Sequence, residues 1–524
     1  MKRLPSASPP VVERSDSRVV VAETGGRIVG VGQHGPDHVV YKLYLDPEHQ
    51  GHGLGPRLLD ALARRGSGAR GGLANPPDHS PGGIAASPGA GLAWRPMSER
   101  TWGFRTRALH AGGTPDPTTG ARAVPIYQTT SFVFEDAADA ANLFALQKYG
   151  NVYSRIGNPT VAAFEERLAS LEGAIGGVAT ASGQAAEFLT FSALAEAGDH
   201  IVSAAGLYGG TVTQLTGTLA RFGVETTFVH GDTEDYAKAV TDRTKLIYTE
   251  VIGNPSGAIA DLAGLADLAH SHDIPLVVDA TLATPYLCRP IEHGADIVLH
   301  SATKFLGGHG TTLGGVVVEA GTFNWGNGNF PRMTETVDSY GGLKYWENFG
   351  EYAFCTRLRA EQLRDIGAVL SPHSAFLLLQ GVETLPQRMD AHVVNARAIA
   401  EYLNADPRVA WVSYAGLPDH PDHERAARYL PQGPGAVFSF GVKGGRAAGE
   451  KFVESVELLS HLANVGDART LVIHPASTTH AQLSEDQLAA AGVGADLIRL
   501  SVGLEDVEDL LWDLDQALDK AVNA

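Results

Sequence analysis

Between residues 176 and 319, short apolar runs alternate with helical stretches, and this alternation constrains the fold more than any other feature of the sequence. Several runs are continuous stretches of Val and Ile, which is typical of strands covered by helices on both faces of a sheet. Strand–helix alternation favours right-handed βαβ units and a mostly parallel sheet. The predicted strands are GGVATA (176–181), DHIVSAA (199–205), KLIYTEV (245–251), PLVVDAT (275–281), ADIVLHSA (295–302) and LGGVVVE (313–319).

Composition separates this region from what lies on either side of it. Residues 1–65 contain short β-like runs and one helix, and residues 66–98 are so dense in Gly, Pro, Ala and Ser that they predict a linker. After about residue 355 the pattern changes to long helices and then to short strands such as AVFSFGV (436–442). We therefore predict a large α/β domain that ends near residue 355 and a second, α+β domain from 356 to 524.

The bulk composition excludes several classes of function. A net charge of −19 disfavours binding to nucleic acid or to anionic lipid, since the chain would repel their phosphates. Cys288 and Cys355 form neither a disulfide framework nor a zinc pattern, and we interpret them as reduced core thiols. The sequence has no apolar run of the roughly 18 residues that a membrane helix needs and no secretory signal, so we expect a cytoplasmic protein without a membrane or nucleic-acid partner.

Ser301, Thr303 and Lys304 follow the predicted strand 295–302. Because burial disfavours a charged amine, a lysine at this place needs a chemical reason, and a covalent link to an aldehyde provides one. The two hydroxyls would then hold a phosphate while the lysine reaches the aldehyde. The alternative is an ordinary surface lysine after a strand.

Two further strand ends carry polar groups. Asp279 closes VVD, and an unpaired carboxylate is costly to bury there, but it would keep a pyridine nitrogen protonated. Ser182, Gly183 and Gln184 open a predicted helix, whose N-terminus is a ready phosphate site. The alternatives are a turn-capping aspartate and a simple helix-capping serine.

Three other residues complete the set. Tyr208 follows a strand and could stack on a flat ring, Asn254 begins the turn NPSG, and Arg499 lies inside an apolar strand. The fork of an arginine suits a carboxylate bound by two hydrogen bonds. Taken one at a time, the alternatives are that Tyr208 is a tyrosine at the rim of the sheet, that Asn254 belongs to an ordinary β-turn and that Arg499 forms a structural ion pair. Together, a phosphate cradle, a ring partner, an aldehyde-binding lysine and a carboxylate clamp indicate pyridoxal 5′-phosphate (PLP).

From about residue 100 to the end, the chain resembles the PLP-dependent enzymes of cysteine and methionine metabolism. The motifs that carry this resemblance are YSRIGNPT (153–160), SGQAA (182–186), LYGGT (207–211), NPSG (254–257), VDAT (278–281) and HSATKFLGGHG (300–310). The resemblance implies the aspartate-aminotransferase fold, called fold type I. It also implies an N-terminal arm over 99–160, a PLP-binding large domain over 161–355 and a small domain over 356–524.

The family's roles carry over residue by residue. Lys304 would bind the cofactor aldehyde and act in catalysis, with Tyr208 stacked on the ring and helping in proton transfer, and Asp279 paired with the pyridine nitrogen. The phosphate would be held by Ser182, Gly183, Gln184, Ser301 and Thr303. Asn254, Ser477 and Arg499 would bind the substrate carboxylate. Tyr153 and Arg155 would reach the cofactor phosphate of a neighbouring subunit, so the resemblance implies a homotetramer with shared active sites.

Within the family, PIYQTTSFVF (125–134), GNFPRMTE (328–335) and HPASTTHAQLSEDQ (474–487) resemble the O-acetylhomoserine sulfhydrylase branch. This implies formation of homocysteine and acetate from O-acetylhomoserine and sulfide by replacement at the γ-carbon, with O-acetylserine as a further substrate to consider. A cystathionine γ-synthase or γ-lyase is the alternative within the family. No metal is expected, because His300, His309, His474 and His480 are not clustered at metal-ligand spacing.

Residues 39–65 resemble the acetyl-CoA motif of GCN5-type N-acetyltransferases. Gln50, Gly51, Gly53 and Gly55 match its Gly-rich turn, whose backbone amides bind a pyrophosphate. Such a domain needs far more chain than 65 residues, so we interpret residues 1–65 as an inactive remnant or an over-extended gene start. The alternative is an acetyl-CoA-dependent acetyltransferase module completed by a partner.

Overall fold

The computed structural model describes residues 102–479, 481 and 494–522, together with four strands in the first hundred residues. The chain divides into two units, residues 1–86 and 87–524. In the first unit the four strands form an antiparallel sheet in the order β1-β2-β3-β4. The predicted helix, the turn at Gln50–Gly55 and the linker lie outside the described residues. The strands are β1 (Val11–Glu13), β2 (Val19–Thr24), β3 (Arg27–His34) and β4 (Val40–Leu45).

The second unit is built around a seven-stranded sheet in the order β5-β11-β10-β9-β8-β6-β7. All neighbouring pairs are parallel except those of β11, which runs antiparallel to both β5 and β10. The prediction of a mostly parallel sheet is therefore confirmed. The strands are β5 (Gly176–Thr180), β6 (His200–Ala204), β7 (Glu225–Val229), β8 (Thr244–Glu250), β9 (Leu276–Asp279), β10 (Ile297–His300) and β11 (Gly315–Glu319).

Helices cover both faces of this sheet, as the continuous apolar strands require. Side chains alternate along β10, so Val298 packs into one buried cluster with Phe164 and Leu265, while Leu299 packs into another with Leu189. The helices up to residue 287 are α1 (Phe104–His110), α2 (Ala137–Phe144), α3 (Pro159–Glu172), α4 (Gly183–Leu194), α5 (Gly209–Thr213), α6 (Thr233–Ala239), α7 (Leu262–Ser271) and α8 (Thr284–Leu287). A π-helical segment, Gln214–Leu219, continues α5.

Short helices then lead to a second layer of structure with its own sheet. That five-stranded sheet has the order β12-β13-β16-β15-β14. Its strands are β12 (Val409–Ser413), β13 (Val437–Val442), β14 (Ser460–His461), β15 (Leu471–Ile473) and β16 (Leu497–Ser501). The remaining helices are α9 (Pro331–Thr334), α10 (Tyr345–Phe349), α11 (Ala353–Arg357), α12 (Arg364–Ile366), α13 (Pro372–Glu383), α14 (Leu385–Ala405), α15 (His423–Tyr429), α16 (Gly445–Ser455) and α17 (Val507–Val522).

Local sequence explains where the elements near the site begin. The Ser182 hydroxyl accepts a hydrogen bond from the Ala185 amide and so caps α4. The Asn158 side chain accepts a hydrogen bond from the Thr160 amide and so caps α3. Cys288 and Cys355 are buried and free, which confirms the interpretation as reduced core thiols. Among the described residues, no helix is long and apolar enough to cross a membrane.

Candidate active site

Four strands deliver the predicted residues to one edge of the large sheet. Ser182 follows β5, Asn254 follows β8, Asp279 closes β9, and Ser301 follows β10. These strands run in the same direction, so their carboxyl ends meet where a parallel sheet places its ligand crevice. The Ser301 amide donates to the Thr281 hydroxyl over 2.8 Å, which ties the loop after β10 to the loop after β9.

The start of α4 lies directly against the loop that leads to Lys304. A Cβ atom added to Gly183 would lie 2.6 Å from the Ser301 Cβ, so only glycine allows this approach. The Ser301 hydroxyl has no hydrogen-bond partner among the described residues. The Thr303 hydroxyl, in contrast, donates to the Gly314 carbonyl over 3.1 Å. Of the two predicted hydroxyls, Ser301 is therefore the one left free for a phosphate.

The side chain of Gln184 is directed into the protein. Its amide nitrogen donates to Glu187 over 2.9 Å, and its amide oxygen accepts from Gln214 over 3.3 Å. What α4 offers to an anion is therefore its first backbone amides, together with the positive end of the helix dipole. The sequence could indicate Gln184 as a site residue, but it could not say that the backbone would be the donor.

Lys304 is held by a residue that sequence reasoning missed. Its Nζ donates to the Asn464 side-chain oxygen over 2.5 Å. Burial, and to a lesser degree the positive charge of Arg499, lower the pKa of Lys304 to about 8. No ion pair of the described residues includes Lys304, so its amine is available for chemistry rather than used in a salt bridge.

Asp279 lies at the end of the neighbouring strand β9, where a positive group would favour its ionised form. Its Oδ1 accepts the Thr281 amide over 2.7 Å. Burial raises the pKa of Asp279, and the hydrogen bonds from Thr281 act against that rise. A protonated ring nitrogen would reverse the cost of burying this carboxylate, because an opposite charge favours the ionised form.

Arg499 joins the second layer of structure to the large sheet. From β16 its Nη1 donates to the Asn254 side-chain oxygen over 3.1 Å, and its Nη2 donates to the Asn464 carbonyl over 3.3 Å. Burial lowers the pKa of Arg499 to about 10, and the nearby Tyr208 partly opposes this. The structure therefore brings Lys304, Asn254 and Arg499 together, with Asn464 between the lysine and the arginine.

Tyr208 is held at the site through its backbone. Its amide donates to Glu250 Oε1 over 2.7 Å, while Glu250 Oε2 accepts the Asn254 amide over 3.1 Å. Tyr208 is 49% exposed, so this residue borders solvent. Glu250 was also missed, although it closes the apolar strand β8 in the same way that Asp279 closes β9, and the same signal would have found it.

Ser477, Tyr153 and Arg155 make their contacts with residues outside the cluster around Lys304. The Ser477 hydroxyl bonds His474 Nδ1 over 2.8 Å. The exposed Tyr153 has the Arg155 guanidinium 5.6 Å from its ring centroid, and Arg155 also donates to the Arg364 carbonyl.

Among the described residues no group of His, Cys, Asp and Glu could hold a metal ion, and His480 lies outside them.

Comparison with protein families matches residues 105–519 to the Cys/Met metabolism PLP-dependent enzymes. The chain belongs to this family. A second profile, that of the acetyltransferase (GNAT) domain, matches residues 15–79, in agreement with the resemblance noted in the N-terminal segment.

Individual relatives cover the same region of this PLP-dependent enzyme. A Sulfhydrylase FUB7 of Fusarium oxysporum f. sp. lycopersici is 54% identical over 430 residues, which is 81% of this chain and 99% of that protein. An O-acetyl-L-homoserine sulfhydrylase 1 of Thermus thermophilus is 50% identical over 79% of this chain and 99% of its own length. A Campylobacter jejuni structure, described as an O-acetylhomoserine (thiol)-lyase with N′-pyridoxyl-lysine-5′-monophosphate, is 38% identical with a TM-score of 0.77 and covers 80% of this chain and 100% of that one.

The site of this family member fits PLP. A half-buried lysine with a lowered pKa, a strand-end carboxylate and a helix start pressed against a free serine hydroxyl match the aldehyde, the ring nitrogen and the phosphate, respectively. We expect Lys304 to hold the aldehyde, Asp279 the ring nitrogen, and Ser301 with the amides of Gly183 and Gln184 the phosphate.

Proposed function

We propose that this chain makes homocysteine and acetate from O-acetylhomoserine and sulfide, by replacement at the γ-carbon. The observation that carries the proposal is the convergence of Lys304, Asp279 and Arg499 at the carboxyl ends of β8, β9 and β10, in a chain about half identical to proteins named for this reaction. Bound PLP supplies an electron sink that stabilises negative charge on the substrate carbons.

In this proposal Lys304 is the base. A lysine pKa of about 8 leaves part of the amine unprotonated near neutral pH, which suits removal of a proton from the substrate α-carbon. The Asn464 oxygen orients the amine by accepting one of its hydrogens. Tyr208 is placed to assist in moving protons, because this residue borders solvent and lies close enough to Arg499 to affect its pKa.

Arg499 and Asn254 bind the substrate carboxylate. The Arg499 fork is held from two sides, by the Asn254 side chain and by the Asn464 carbonyl, so little freedom remains to be lost on binding. The third predicted contact, Ser477, follows β15, which pairs with the strand of Arg499. These contacts would fix the α-carbon beside Lys304 and leave the acetyl end of the substrate free to depart.

The proposed reaction is tested by comparing sulfide with cysteine as the nucleophile. With O-acetylhomoserine and sulfide we expect homocysteine and acetate in equal amounts, measured by chromatography. With cysteine in place of sulfide we expect a rate at least about tenfold lower, since the larger thiol has to fit where sulfide reacts. Parallel reactions with O-acetylserine define the second substrate, and a mixture without sulfide is the control. Cystathionine formed from cysteine, with no product from sulfide, would contradict the proposal in favour of a cystathionine γ-synthase.

We further propose a homotetramer in which Tyr153 and Arg155 reach the cofactor phosphate of a neighbouring subunit. Both side chains are exposed, and within their own chain they contact each other rather than the cluster around Lys304. The arm around them exposes several large apolar side chains, and such surfaces are typically covered by a partner. These side chains are Ile126, Val133, Phe134, Phe144, Tyr149 and Tyr153.

The domain division is also a proposal: an N-acetyltransferase-like fragment over 1–65, a linker over 66–98, an arm over 99–160, a large domain over 161–355 and a small domain over 356–524. The fragment is proposed to take no part in the sulfhydrylase reaction. The family match, which begins at residue 105, and the division of the chain near residue 86 support this.

A shortened chain that begins at Ser98 tests both proposals. We expect it to keep its sulfhydrylase activity within about twofold, since all proposed site residues lie after that point, and to show a tetrameric mass by light scattering. The full-length chain, measured in parallel, is the control. A large loss of activity would contradict the domain proposal, and a monomeric mass would contradict the shared site.

A further inference from the structure

Glu187 is a buried acid with no counter-charge. Its residue is only 4% exposed, immediately after the first turn of α4, and no ion pair of the described residues includes it. Burial, together with the nearby Asp279, raises the pKa of Glu187 to about 8. A carboxyl group is rarely placed in such surroundings unless its hydrogen bonds have a use.

Three side chains donate hydrogen bonds to Glu187, and each comes from a different element. Thr211 of α5 donates to Oε1 over 2.8 Å, and Tyr248 of β8 donates to Oε1 over 3.2 Å. Gln184, at the start of Glu187's own helix, donates to Oε2 over 2.9 Å. Thr211 and Tyr248 are completely buried, so water cannot replace these bonds.

Each connected element adjoins a residue proposed above for the site. The α4 helix offers its first amides to the phosphate, and α5 begins immediately after Tyr208, the residue proposed to stack on the ring. Strand β8 ends at Glu250, which holds the amides of both Tyr208 and Asn254. Glu187 therefore lies between the element that would bind the cofactor phosphate and the element next to the cofactor ring, and the distance between these two elements has to stay fixed.

We propose that Glu187 is a positioning residue for PLP, whose carboxyl group sets the distance between the phosphate-binding start of α4 and the ring-stacking Tyr208 at the start of α5. The inference rests on the cofactor contacts proposed above and does not depend on which thiol the enzyme uses. It differs from a purely stabilising role because it predicts an effect on cofactor affinity, and not only on unfolding.

Two substitutions of Glu187 separate these roles. In Glu187→Gln the amide oxygen still accepts from Thr211 and Tyr248, and the Gln184 amide can turn to accept from the new nitrogen. We expect this variant to bind PLP within about threefold of the natural protein. Glu187→Leu keeps the volume but removes all three bonds, so we expect affinity for PLP at least about tenfold weaker and a shifted absorption band of the bound cofactor. Titration of cofactor-free protein with PLP measures both.

Glu319 provides a matched control. It is also a buried carboxyl group, 1% exposed, and it accepts hydrogen bonds from Trp325 Nε1 and the Cys355 amide, away from the cofactor contacts. Glu319→Leu should lower the melting temperature without weakening PLP binding. If Glu187→Leu behaves like Glu319→Leu, with a lower melting temperature but unchanged PLP affinity and spectrum, the proposal is wrong.

Thr211→Val keeps the test decisive if Glu187→Leu does not fold. It removes a single hydrogen bond to Glu187 with little change in shape, and we expect PLP affinity to fall by about threefold. Unchanged affinity in Thr211→Val would overturn the proposal. Failure of the natural protein to form homocysteine would affect only the proposed reaction, because PLP binding is measured without substrate.

Discussion

Replacing Lys304 with alanine should abolish homocysteine formation, with a loss of at least about 1,000-fold in kcat, because one residue supplies both the cofactor attachment and the base. The structure supports this double role, since the Lys304 amine is half-buried, oriented by Asn464 and free of any ion pair among the described residues. Borohydride reduction of the natural protein should fix the cofactor on the peptide that contains Lys304, as seen by mass spectrometry, and the variant should show no such peptide.

Lys344→Ala is the control for this experiment. Lys344 forms an exposed ion pair with Glu347 three residues further along the chain, so its loss should leave both activity and cofactor attachment unchanged. Retention of a tenth of the natural activity by Lys304→Ala, or cofactor fixed on another lysine, would exclude Lys304 from its proposed role.

Replacing Arg499 with methionine should lower kcat/KM by about 100- to 1,000-fold, because truncating one partner of a buried, hydrogen-bonded charge pair costs about 3–4 kcal/mol. Most of the loss should appear in KM, since the proposed contact is with the substrate carboxylate.

A second effect of replacing Arg499 with methionine follows from the loss of its positive charge. Arg499 helps to lower the pKa of Lys304, so its removal should raise that pKa above about 8. The pH dependence of Lys304 labelling by an amine-reactive reagent, in the cofactor-free protein, measures this shift.

Arg499→Lys separates the two effects. Lysine keeps the positive charge but lacks the rigid fork, so kcat/KM should still fall while the pH at which Lys304 becomes reactive stays close to that of the natural protein. If Arg499→Met leaves KM unchanged, the carboxylate is bound elsewhere. If it leaves the labelling profile unchanged, Arg499 does not act on Lys304.

The strands that carry the site were predictable because they are buried on both faces, so nearly every residue in them is apolar. Strand β10, for example, is completely buried, and the prediction 295–302 contains it. Strand β7 was missed, since it lies at the sheet edge and exposes part of its ETTFV sequence, which weakens the apolar signal. The antiparallel direction of β11 was not foreseen either, because strand direction depends on the path of the connection and not on the pattern within the strand.

Lys304, Asp279 and Arg499 could be predicted because each places a charge beside an apolar strand, where it needs a chemical reason. Asn464 carries no such signal: it is a neutral residue 160 positions away from the lysine it contacts. Glu187 lies within a helix that begins at a predicted phosphate site, but its partners Thr211 and Tyr248 come from later in the chain. Their convergence is a property of the folded chain.

The residues that precede and follow Lys304 in the sequence were enough to predict that it binds the cofactor. The sequence by itself determined the fold class, the cofactor and most of the residues proposed to hold it. These follow from local patterns, because hydrophobic periodicity and strand-end polarity need no partner to be recognised. The tertiary structure decided which atoms are available: the backbone of Gln184 rather than its side chain, the Ser301 hydroxyl rather than that of Thr303, and Asn464 between Lys304 and Arg499. Hydrogen bonds are short and directional, so their partners are settled only when distant segments pack together.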